Sequence, residues 1–147
     1  MNIQISKVHT SFKLLFIVFF FLSIQSCNTA LYYDHYSYKE SISVKIEALA
    51  LIKKSTAEFN KYEAKAEKIQ IEMMKLYEYE KYRKNNDETV KMWKLMLDPD
   101  GGLYAGYIEK WKEKGKMSKV FATEAKKNIE QAFDIIIGFE NKKIKGK

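Results

Sequence analysis

From Tyr38 to Arg83 the chain contains neither proline nor glycine, and apolar residues recur at steps of three and four: Ile42, Ile46, Leu49, Ile52, Phe59, Tyr62, Ala66, Ile69, Met73, Leu76 and Tyr77. Such spacing keeps one face of a 3.6-residue helix apolar, and it predicts a single long amphipathic helix. The stripe is weakest at Lys53-Lys54-Ser55-Thr56, where a bend or break would fall. Breakers are scarce throughout, with one proline, Pro99, and six glycines in 147 residues. Abundant Lys, Glu, Ala, Met and Leu favour helix over strand.

Local signals place three more helices. Asn85-Asn86-Asp87 stops the first helix and caps a second that runs from about Asp87 to Leu97, with Asp87 and Glu88 at the positive end of its dipole. Asp98-Pro99-Asp100-Gly101-Gly102 has the chemistry of a turn, since proline presets one backbone angle and glycine permits the opposite sign. A third helix spans Leu103 to about Lys114, with Leu103, Tyr107 and Trp111 at four-residue steps and Gly115 closing it. Ser118 caps the last, which reaches about Asn141 on a stripe of Phe121, Ala125, Ile129, Ala132, Phe133 and Ile136. The expected fold is all-α: a three- or four-helix bundle over residues 39–147 with one long N-terminal helix, two short helices and a C-terminal helix.

The helix lengths carry a consequence for binding. At 1.5 Å per residue the first helix would be about 65 Å long and the last about 35 Å, so the last could not cover the first. The uncovered part holds Ile42, Ile46, Leu49 and Ile52, and contiguous exposed apolar surface marks an interaction site. Two solutions are open: docking of a protein partner or a second copy through those four residues, or a fold-back near Lys53 to Thr56 that completes a four-helix bundle within the chain.

The first residues speak to location. Lys7 and Lys13 precede an unbroken apolar run from Leu14 to Leu22, after which Ser23-Ile24-Gln25-Ser26-Cys27 turns small and polar. This is the order of a secretory signal. Nine apolar residues fall well short of the roughly 20 that a membrane-spanning helix needs. Ile24-Gln25-Ser26-Cys27 resembles the lipobox of bacterial lipoproteins, with Gln25 departing from the commoner Ala or Ser. The resemblance covers residues 1–27 alone and implies removal of residues 1–26, acylation of Cys27 and attachment to membrane lipid. The phenylalanine-rich signal and the Ser26-Cys27-Asn28 junction resemble lipoproteins of the Bacteroidota. In that group surface export tends to need acidic residues after the cysteine, and Asn28-Thr29-Ala30-Leu31 has none, which implies an outer-membrane anchor facing the periplasm. Cys27 is the sole cysteine, so no internal disulfide can form. Residues 27–38 then read as a tyrosine-rich tether whose rings suit either the headgroup layer or the end of the domain.

Motifs for catalysis are absent from the mature segment. His35 is its one histidine, and it has no zinc-ligand cluster, nucleophile elbow or phosphate loop. Asp98, Asp100 and Glu109 mimic three positions of a calcium loop, but Leu103 stands where that loop requires glycine. No metal or cofactor is therefore expected. Loss of Lys7 and Lys13 takes the formal charge from +7 to +5, and the remaining lysines alternate with glutamates, which argues against nucleic acid. The expected role is non-catalytic: a membrane-anchored envelope lipoprotein acting as a helical binding or scaffold subunit, as in a trans-envelope secretion or transport complex. An immunity lipoprotein against a toxin is a second expectation, and a cell-wall-active enzyme using paired carboxylates a third.

Overall fold

The computed structural model describes residues 32–101 and 103–145; residues 1–26, expected to form a signal segment, and Cys27 lie outside them. Among the described residues are five α-helices and no strand: α1 (His35–Ile52), α2 (Glu63–Lys81), α3 (Asp87–Leu97), α4 (Tyr104–Lys114) and α5 (Lys119–Lys145), with a 3-10 turn at Phe59–Lys61. Helix α1 packs on α5 and α2, α3 packs on α2 and α5, and the four close into a ring. Their directions alternate, as in an up-down-up-down bundle. Helix α4 contacts α3 and the 3-10 turn and covers the end of the bundle remote from Asp34.

Local chemistry explains the starts and stops. Asp34 caps α1 by accepting the Ser37 N–H at 2.8 Å. The helix therefore begins at His35, and the last four residues assigned to the tether are helical. Ser118 Oγ accepts the Phe121 N–H at 3.2 Å at the head of α5. Asn85 links α2 to α3 with φ of +56°, a left-handed conformation that Asn tolerates better than most residues. Gly115 ends α4 at φ +71°.

The single helix expected from Tyr38 to Arg83 is two, and the break falls at Lys53, where the apolar stripe weakens. Ser55 Oγ donates to the Ile52 carbonyl at 2.7 Å, competing for the acceptor that would continue the helix. Ser55 is fully buried and its hydroxyl pairs with that of Tyr107. The chain then zips onto the α4–α5 connection: Met117 N–H donates to the Ser55 carbonyl and Phe59 N–H to the Gly115 carbonyl, each at 2.8 Å. Trp111 Nε1–H reaches the Ala57 and Gly115 carbonyls, both at 3.1 Å, and its ring packs on Phe59 and Tyr62 at 5.3 and 5.8 Å between centroids. Contacts about fifty residues or more away in sequence thus override a locally helical stretch.

The fold-back removes the length mismatch. Helix α1 of 18 residues is shorter than α5 of 27 and is covered along its length. The shared core contains Trp93, Phe133, Met73, Leu76, Ile129 and Ile136, each at most 2% exposed. Trp93 and Phe133 meet edge to face at 6.0 Å.

Candidate functional site

The four residues singled out on the long helix separate in the structure. Ile52 is fully buried and Leu49 is 8% exposed, both inside the core, while Ile42 is partly buried. Ile46 alone faces solvent, at 63% exposure. The expected docking stripe is thus largely the bundle's own interior, because α2 and α5 occupy the place a partner would take. Leu49→Ala is expected to lower folding stability by about 2–3 kcal/mol, whereas Ile46→Ala stays within about 0.5 kcal/mol of wild type. Urea unfolding of the two variants measures this, and equal losses would contradict the assignment of faces.

Two other features emerge. The first is a buried ionic cluster where the start of α1 meets the ends of α2 and α5. Glu80 and Glu140 are both fully buried, and one guanidinium serves both. Arg83 Nη1 donates to Glu80 at 2.8 Å and to Glu140 at 2.7 Å. Arg83 Nη2 reaches Glu140 at 3.2 Å and the Tyr32 carbonyl at 2.9 Å. Ser37 and Asn86 complete the shell of Glu80, and Lys143 bridges Glu140 and Asn86. The Asp34 N–H donates to Glu140 at 3.1 Å, and the Tyr79 hydroxyl donates to the Asp34 carboxylate at 2.7 Å.

Burial opposes the charge on Glu140, yet hydrogen bonds from Arg83 and Lys143 outweigh it and hold the carboxyl below its ordinary range. At Asp34 burial likewise opposes ionisation, and the Ser37 N–H, the Tyr79 hydroxyl and Arg83 overcome it. Arg83 is desolvated, but the glutamates keep its pKa above the ordinary value. Every carboxylate in this cluster has donors directed at it, which suits a structural clasp joining four chain segments.

A sequence signal for the cluster exists in hindsight. Ile69, Met73 and Leu76 lead by steps of four and three to Glu80, and Ile129, Phe133 and Ile136 lead in the same way to Glu140. A glutamate occupying the next position of an apolar stripe implies a buried cation.

The second feature is a surface groove of about 720 Å³ between α2 and α3, lined by Tyr77, Lys91, Lys94, Leu95, Leu97, Asp98 and Pro99. Leu95 is 52% exposed there, and Met74, 44% exposed, extends the apolar surface one turn along α2 from Tyr77. Lys91 pairs with Glu88 at 2.8 Å, while Lys94 makes no ion pair among the described residues. Asp98 is engaged in the turn, accepting the Asp100 N–H at 3.1 Å. An apolar floor with a cation on its rim can take the apolar face of a peptide helix and pair with its carboxylate.

Among the described residues no group of three or more His, Cys, Asp or Glu could hold a metal ion, and no helix is long and apolar enough to cross a membrane. Comparison with protein-family models, curated proteins and solved structures finds no match to this chain.

Proposed function

We propose that this chain is an envelope lipoprotein, held to a membrane by acyl chains on Cys27, whose helical bundle binds another protein. The groove of Tyr77, Leu95, Leu97 and Pro99 carries the binding reading. Its floor is apolar and its rim carries Lys94, so the fitting partner is an amphipathic segment that offers apolar side chains and a carboxylate. The groove takes over the role first given to Ile42, Ile46, Leu49 and Ile52. The lipobox at Ile24 to Cys27 supports the anchor, on the periplasmic face of the outer membrane.

Cross-linking in intact cells tests both parts. Wild-type chain is expected to fractionate with membranes and to yield a discrete cross-linked partner. Cys27→Ser is expected to leave the membrane fraction. Leu95→Asp is expected to stay on the membrane, to lose the cross-link, and to change folding stability by no more than about 0.5 kcal/mol because the site is at the surface. An unchanged cross-link in Leu95→Asp would sink the groove as the binding site, and membrane retention of Cys27→Ser would sink the lipid anchor.

A further inference from the structure

Among the described residues, every tyrosine that is at least two-fifths exposed or nearly so sits at one end of the bundle: Tyr32 at 81%, Tyr36 at 49%, Tyr79 at 39% and Tyr82 at 85%. This is the end where the ionic clasp receives the incoming chain. Tyr36 and Tyr79 pack edge to face at 5.0 Å, and Tyr79 is held by its hydrogen bond to Asp34. Arg83 fixes the Tyr32 carbonyl and Glu140 fixes the Asp34 N–H, so the tether enters the bundle in a set place. Lys84 and Lys142 lie on the same end, both exposed.

We infer that this end is a membrane-contact face, and that its four tyrosines lie in the lipid headgroup layer. Tyr32 is five residues after Cys27, and a fully extended chain covers at most about 3.5 Å per residue. The bundle end therefore stays within about 17 Å of the acylated cysteine whatever path the chain takes. Tyrosine is suited to that depth, since its ring accepts an apolar environment while its hydroxyl keeps partners in water. Exposed lysines beside the rings reach the phosphates. The alternation of helix directions then stands the bundle upright, with α4 and the start of α5 furthest from the bilayer and the α2–α3 groove on its side. This orientation rests on acylation of Cys27 in the proposed function.

Fluorescence quenching separates the orientation from the anchor. Trp93 and Trp111 are both fully buried and supply a constant background. Tyr82→Trp places a reporter at the clasp end, and Val120→Trp, at a site 76% exposed, places one about 30 Å away along α5. Both are made in the full acylated chain and reconstituted into phosphatidylcholine vesicles containing lipid brominated near the headgroup. Added emission from Tyr82→Trp is expected to be lost in brominated vesicles, while that from Val120→Trp is retained. Unquenched Tyr82→Trp in protein that floats with the vesicles would overturn the contact face and leave the anchor standing. Failure of the chain to float would overturn the anchor, and the contact face with it.

Discussion

Arg83→Met is expected to lower folding stability by about 3–5 kcal/mol at neutral pH, because it leaves two buried glutamates without their shared cation. The guanidinium touches Glu80, Glu140 and the Tyr32 carbonyl, so a single substitution opens the junction of α1, α2 and α5. The pH dependence should weaken. In the wild type, the depressed pKa of Glu140 contributes stability that is present above the unfolded carboxyl's pKa and is lost as pH falls through the folded value. Asp34, also depressed, acts in the same direction. In Arg83→Met only Lys143 and the Asp34 N–H still oppose burial at Glu140, so its folded-state pKa moves up toward the unfolded value. The variant should then lose less stability than the wild type on acidification through the carboxylate range. Guanidinium chloride midpoints at neutral pH and at the low edge of that range provide the measurement. Parallel acid profiles for the two proteins would show that Arg83 does not neutralise the buried pair.

Trp111→Ala should also cost about 3–5 kcal/mol, the usual loss when a fully buried tryptophan is cut to alanine. Its consequences extend beyond the cavity, because Trp111 carries the fold-back. The indole fills the space between Phe59 and Tyr62, and its N–H binds the carbonyls of both Ala57 and Gly115. Trypsin should cut Trp111→Ala early at Lys53, Lys54 or Lys61, which flank the turn. Trp111→Phe keeps most of the packing and loses the donor, so a loss nearer 1 kcal/mol is expected. A Trp111→Ala protein with wild-type midpoint and wild-type protease resistance would mean that the turn holds itself.

Helices α3, α4 and α5 start within a residue of the places their sequence signals indicate, because those signals are local. Ser118 accepts an N–H three residues on, and Gly115 supplies the positive φ that ends α4. Asp87 lies at the positive end of the α3 dipole, and the Asp98-Pro99 turn closes through Asp98 itself. The break after Ile52 was visible only as a weak place in the stripe. What decides it is the contact of Ser55 with Tyr107 and of Ala57 with Trp111, and those residues stand more than fifty positions downstream.

The candidate sites divide along the same line. Periodicity shows that Ile42, Ile46, Leu49 and Ile52 share a face, but a face covered by another chain and one covered by the chain itself leave the same spacing. The groove draws Tyr77 from α2 and Leu95, Leu97 and Pro99 from α3 and its following turn, a grouping that exists only once the two helices pack. The clasp was half visible, since Glu80 and Glu140 continue apolar stripes, while their convergence on Arg83 was not.

By itself, then, the sequence determined that the domain is helical, where three of its helices begin and where two of them end, since those outcomes depend on local residues acting on their own turn of backbone. Tertiary structure alone decided that the first helical stretch divides in two, that its apolar face is spent on the bundle's interior, and that two glutamates and an arginine meet at the end where α1 begins. Each of these is a pairing between distant residues, set by which surfaces bury one another, and burial cannot be assigned to a face until its partner is in place.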